Sequence, residues 1–173
     1  EMIFKYSGRQ FSIPLKVEGY FQAMNILCAA GLAIASGSPS EKVFEHLKDL
    51  RSIPGRLEFC GLSKIKAKIY VDYAHTPDAL TAALFSLREL TENKITLVFG
   101  CGGGRDKFKR PIMGEIAENF ADSVIITDDN PRNEDSEKIR KAILEACPSA
   151  LEIPNRKEAI ITAINQGEKG DSI

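Results

Sequence analysis

The sequence predicts an α/β fold built on a mostly parallel sheet, and three observations carry that prediction. From Ile65 onward, short apolar runs alternate regularly with stretches of helical periodicity. One of the runs, Ser123-Val-Ile-Ile-Thr127, has the length and composition of a short buried strand. Consecutive strands are separated by single helices, which demands right-handed crossovers and parallel neighbours covered on both faces.

Residues 2–17 alternate loosely around Ser7-Gly8-Arg9 and predict a hairpin. Over 20–35 apolar residues recur at helical spacing through Phe21, Met24, Leu27 and Leu32, and Gly37-Ser-Pro-Ser40 ends that helix and caps the next, over 41–50. Ser52-Ile-Pro-Gly-Arg56 breaks the pattern, so a hinge is placed there, between domains 1–52 and 53–173. A strand over 65–71 follows, then a helix over 77–90 with Thr76 as N-cap and Pro77 at its first position. The remaining order is strand 95–99, helix 111–120, strand 124–127, helix 135–146, a short strand 151–153, helix 156–165 and a strand from Ser172. The chain starts with Glu1 and stops at Gly170-Asp-Ser-Ile173, the pattern of a turn entering a strand, so both ends are expected to be cut from a longer protein.

Composition narrows the function. A net charge of −1 argues against bulk binding to nucleic acid or to an anionic membrane. No apolar run approaches the ~20 residues of a membrane span, and the amino end lacks a basic-then-apolar leader, so a soluble, cytoplasmic protein is expected. Cys28, Cys60, Cys101 and Cys147 lie far apart with no Cys-x-x-Cys pair and no nearby His, which predicts free, mostly buried thiols and no metal site.

In parallel sheets ligands bind beyond the carboxyl ends of the strands, which singles out loops 72–76, 100–110 and 128–132. The last reads Asp-Asp-Asn-Pro-Arg. Carboxylates hold an ammonium and Arg holds a carboxylate bidentately, so this loop suits a ligand with amino-acid ends, whereas its two acids repel a bare phosphate. Pro131 stiffens the turn; an Asx-type turn after a strand is the alternative. Loop 100–110 combines glycines at 100, 102, 103 and 104 with a helix amino end and Arg105, an anion-binding combination. It lacks the Gly-Lys-Ser/Thr ending of a Walker A loop, and Arg105 replaces the third glycine of Gly-x-Gly-x-x-Gly. A tight structural turn is the alternative, against which Arg105 directly after the glycines weighs. In loop 72–76, Asp72 could accept from ribose hydroxyls and His75 could bond a base or phosphate, or the two could be a turn residue and a capping imidazole.

Taken in order, Asp72-Tyr-Ala-His-Thr-Pro-Asp-Ala79, Gly100-Cys-Gly-Gly, Arg105-Asp-Lys, Lys109-Arg-Pro111 and Thr127-Asp-Asp-Asn-Pro-Arg132 resemble the motif set of the ATP-dependent Mur ligases of peptidoglycan synthesis, over nearly the whole chain. The resemblance is closest to the members that add the third stem-peptide residue to UDP-N-acetylmuramoyl-L-alanyl-D-glutamate, and Asp-Asn-Pro-Arg marks those that add meso-diaminopimelate. It implies a Rossmann-like carboxy-terminal amino-acid-binding domain over 53–173, preceded over 1–52 by the end of the central ATPase domain. Arg105, Asn130 and Arg132 would hold the diaminopimelate carboxylates and Asp129 an ammonium. Asn25 would contact adenine, Asp72 ribose and Arg56 the ATP phosphates, with His75 beside the nucleotide. Gln22 stands where the family commonly has Asn.

The implied reaction uses ATP and Mg²⁺ to phosphorylate the D-glutamate γ-carboxylate, after which the diaminopimelate amine attacks the acyl phosphate and expels phosphate. The family's P-loop, acidic metal ligand, modified lysine and Gly-x-Gly-His-Glu segment are not among these 173 residues. No catalytic residue is therefore expected here, and the chain alone is expected to be an inactive monomer with small-molecule partners only. Two other readings stay open. One is a dinucleotide-binding oxidoreductase domain, whose ribose-binding acid would fall near Asp128 and Asp129 but whose third glycine is missing. The other is a non-catalytic anion-binding module.

Overall fold

Two units make up the chain, Glu1–Glu58 and Phe59–Ile173, and the computed structural model describes every residue of both. In the first, β1 (Met2–Tyr6) and β2 (Arg9–Ile13) form the expected antiparallel hairpin, with Phe4 opposite Phe11. Ser7 and Gly8 both have positive φ, 47° and 77°, which gives the two-residue turn the twist that suits flanking strands. Helices α1 (Tyr20–Ala35) and α2 (Ser40–Leu47) pack on the hairpin. Phe44 of α2 supplies the centre, with ring centroids 5.1 Å from Phe4 and 4.7 Å from Phe11. α2 ends before residue 50 because the amides of Asp49 and Leu50 bond to His46 and Leu47, tightening the last turn.

The second unit contains a strand that sequence reading missed. β3 (Glu58–Leu62) pairs with β4 (Lys68–Val71), and residues 65–67, expected in the strand, belong instead to a turn closed by the Ser63 amide on the Ala67 carbonyl at 2.8 Å. Glu58-Phe-Cys-Gly-Leu62 carries Gly61 and no sustained apolar alternation, so it offers little periodic signal. Next come α3 (Pro77–Leu90), whose N-cap Thr76 accepts from the Ala79 amide, and β5 (Thr96–Phe99). α4 (Lys109–Phe120) starts two residues before Pro111, a position still inside the first turn where the missing N–H costs nothing. β6 (Ser123–Ile126), α5 (Ser136–Leu144, N-cap Asp135), β7 (Leu151–Glu152) and α6 (Arg156–Gln166) complete the order.

β5, β6 and β7 are parallel neighbours, with Thr96 opposite Ser123 and Ile125 opposite Leu151. β4 joins this sheet through residues 171–173, which lie between β4 and β5. The Tyr70 amide donates to Ile173 at 2.8 Å and the Thr96 amide to Ser172 at 2.9 Å, with parallel bridges from Ser172 to both Lys68 and Ile95. The expected α/β fold with a parallel sheet is therefore present. Ala159 and Ala163 of α6 pack on Ile125, and strand alternation turns Val124 and Ile126, also buried, to the opposite face toward α4 and α5. No helix is long and apolar enough to cross a membrane.

Candidate functional site

Parallel register brings β5 and β6 out at the same edge of the sheet, so loops 100–110 and 127–132 meet there. They meet closely. A Cβ on Gly100 would stand 2.1 Å from the Thr127 carbonyl oxygen and one on Gly103 2.0 Å from the Pro131 oxygen, so only glycine fits at either position. The Gly103 amide donates to the Asn130 carbonyl at 2.9 Å, and the Arg132 guanidinium donates to the Gly103 carbonyl at 2.6 Å. Arg132 holds φ at 51°, in the left-handed region, with its own amide donating to Asn130 Oδ1 at 3.1 Å. Asp129 in turn accepts the Asn130 amide at 2.7 Å. The Asx-turn reading and the binding reading of this loop thus describe the same residues: the side chains that shape the turn also present Arg132.

Charge in the glycine loop is mostly settled internally. Glu134, which sequence reading did not single out, accepts from the Gly104 amide at 2.6 Å, from the Arg110 guanidinium at 3.1 Å and from Lys107 at 3.2 Å. The Gly104 amide, helped by Lys107 and Arg110, holds its carboxyl down at about 2. Arg110 is buried, and Lys109 donates to the His75 carbonyl at 2.6 Å, which ties loop 72–76 to the other two. Arg105 is exposed and makes no hydrogen bond or ion pair. Asp128 differs from the expected role of ligand carboxylate. It is half-buried and ion-paired with buried Arg140, which also donates to Glu152 at 2.6 Å, whereas Asp129 is exposed.

The residues expected around a nucleotide fall in both units. In the second, Asp72 is half-buried and accepts the Ala74 amide at 2.7 Å, and exposed His75 lies edge-on to Tyr73 with ring centroids 5.2 Å apart. In the first, Asn25 is exposed on α1, and Gln22 one turn earlier is buried and donates to the Arg56 carbonyl at 2.9 Å. The amide of Gln22 thus braces the backbone that carries Arg56. The cysteines depart from the mostly buried expectation: Cys28 and Cys60 are exposed, Cys101 and Cys147 buried. Burial and the neighbouring Glu118 push the Cys147 thiol up to about 12.

Glu134 and Arg140 are the site-shaping residues that sequence reading missed, and the loop cations Lys107 and Arg110, read there as part of an anion-binding surface, bind Glu134. The available signal was an acid two residues past Arg132, facing four cations among residues 105–110.

Comparison with known proteins defines the class. Residues 55–173 match the family model described as Mur ligase, glutamate ligase domain, and the chain belongs to the Mur ligase family. Among similar curated proteins is the UDP-N-acetylmuramoyl-L-alanyl-D-glutamate--2,6-diaminopimelate ligase of Chelativorans sp. (strain BNC1), 51% identical over 98% of this chain and 35% of that protein. The ligase of the same name from Zymomonas mobilis is 51% identical over 96% of this chain and 34% of its own length. The chain thus spans about a third of the length of the curated relatives it matches. A solved structure carrying the same ligase name aligns with a TM-score of 0.67 at 34% identity, over 96% of this chain and 34% of its own. E. coli FolC in complex with ADP aligns with a TM-score of 0.74 at 17% identity, over 98% of this chain and 39% of its own, a likeness of fold alone.

Proposed function

We propose that the protein is a cytoplasmic, monomeric, ATP-dependent ligase that joins meso-diaminopimelate to UDP-N-acetylmuramoyl-L-alanyl-D-glutamate. Residues 53–173 supply the amino-acid-binding domain and 1–52 the end of the ATP-binding domain. The observation that carries this reading is that the two loops bearing Arg105 and Arg132 pack against each other at one edge of the sheet. The Arg132 side chain lies against Gly104, one residue from Arg105, a loop cation with no partner of its own. Two planar forks can each grip a carboxylate with parallel bonds, which a neutral or amine-only side chain such as that of lysine cannot reward. Asn130 and Asp129 flank them, an amide for a carboxylate and an acid for an ammonium. A dinucleotide-binding reading fits less well, because the Gly104 amide that would face a pyrophosphate is taken by Glu134.

In this reading Asp72 and His75 meet the ribose and base side of ATP, and Asn25 and Arg56 its adenine and phosphates. ATP would supply the phosphoryl group that activates the γ-carboxylate. Mg²⁺ would accompany the ATP, held in this reading mainly by residues of the family's central domain and by the nucleotide phosphates. In this reading the chain contributes positioning: it holds the carboxylates of the amino acid so that its amine reaches the acyl carbon. Calorimetric titration of the full-length gene product with meso-diaminopimelate tests this. Binding that survives Arg132→Ala unchanged would overturn the assignment of the pocket.

A further inference from the structure

A glycine loop at the edge of a parallel sheet, with a free amide and several cations, is ordinarily a phosphate site. Here the anion is built in. Glu134 follows the Pro131-Arg132 turn, its amide bonded to the Pro131 carbonyl at 3.0 Å, and its Cβ lies only 3.1 Å from where a Gly103 side chain would begin. From that fixed perch the carboxylate takes the Gly104 amide on Oε1 and Lys107 on Oε2, while the Arg110 guanidinium reaches both oxygens at 3.1 Å. Arg110 is 4% exposed, so its charge has no recourse to solvent, and its Nε finds no partner at all. Lys109 is turned away to the His75 carbonyl. Of the loop's four cations, this arithmetic leaves Arg105.

We propose that Glu134 is a positioning residue that sets selectivity: its carboxylate occupies the loop's own anion site, excludes inorganic phosphate and similar small oxyanions, and leaves Arg105 as the loop cation that meets a carboxylate-bearing ligand. The ligand side of this statement rests on the function proposed above; the exclusion of phosphate does not.

The test uses the full-length gene product and its Glu134→Gln variant, with glycine amides labelled and followed by NMR during titration with inorganic phosphate and, separately, with meso-diaminopimelate and L-lysine. Wild type is expected to show no saturable phosphate shift at Gly104. The variant, isosteric but uncharged, is expected to show one, and to lose about tenfold of any preference for meso-diaminopimelate over L-lysine, about 1.4 kcal/mol. A folded variant with no phosphate saturation at Gly104, or a wild type that already binds phosphate there, overturns the proposal. If the variant does not fold, the side-chain carbon of Glu134 is titrated in wild type: a midpoint near 2 supports the internal anion, and one in the ordinary carboxylate range overturns it. Phosphate gain without meso-diaminopimelate binding by either protein would retain the role of Glu134 and reject the diaminopimelate reading, while the reverse pattern would do the opposite.

Discussion

Arg105 and Glu134 differ at the scale of single residues: Glu134 is engaged within the protein, and Arg105 is left facing solvent. Arg105 is exposed and engages nothing within the protein, so Arg105→Ala should leave the melting temperature unchanged. It should weaken meso-diaminopimelate binding by roughly 10-fold to 100-fold, the range of a lost hydrogen bond to a charged group. Arg105→Lys should restore little, because a point charge cannot make two parallel bonds. Calorimetry on the three proteins checks both statements. Glu134 behaves oppositely, its carboxylate engaged within the protein by the Gly104 amide, Lys107 and Arg110. Its carboxyl drops from 4.5 to about 2 on folding, so the stabilisation it brings is complete above pH 4.5 and is lost as pH falls toward 2. Acid unfolding of Glu134→Gln should therefore show a flatter pH dependence than wild type between pH 4.5 and 2, and parallel curves would contradict the ion cluster.

Elements set where those residues stand. The carboxyl ends of β5 and β6 deliver two loops whose backbones touch, and Gly103 makes the touch possible. Gly103→Ala must push Pro131 away, at a cost of about 1–3 kcal/mol by overpacking, and should weaken amino-acid binding as well, since Arg132 hangs on the Gly103 carbonyl. Chemical denaturation with a parallel binding titration would reveal both losses. A gentler change, Thr76→Ala at the start of α3, removes one cap and should cost about 0.5–1 kcal/mol without altering selectivity. Most elements were legible because their signals are local: the period of α1, the Thr76-Pro77 start of α3, the apolar run of β6. β3 was not, because an edge strand with an interior glycine needs no continuous apolar run. The three site loops were legible as strand-to-helix connections, and Arg105, Asn130 and Arg132 stand in them as read. Glu134, and the diversion of Asp128 to Arg140, were not. Whether a carboxylate serves a ligand or a neighbouring cation depends on residues brought near only by the fold.

At the scale of the whole molecule, residues 171–173 fill the gap between β4 and β5. Ser172 is fully buried, with its amide on Lys94 and its carbonyl receiving Thr96. Ser172→Pro deletes a ladder donor inside the sheet, and a loss of about 3 kcal/mol or more is expected, together with faster hydrogen exchange at Tyr70 and Thr96. Residues 171–173 thereby link β4, which leads into loop 72–76, to β5, which leads into loop 100–110.

ATP-dependent phosphate release tests most directly whether these loops select an amino acid carrying a second carboxylate. The full-length gene product would be supplied with UDP-N-acetylmuramoyl-L-alanyl-D-glutamate, ATP and Mg²⁺, with meso-diaminopimelate or L-lysine as acceptor. Release is expected with meso-diaminopimelate and little with L-lysine, the difference collapsing in Arg132→Ala. Equal turnover with both amino acids, or turnover with lysine alone, would contradict it.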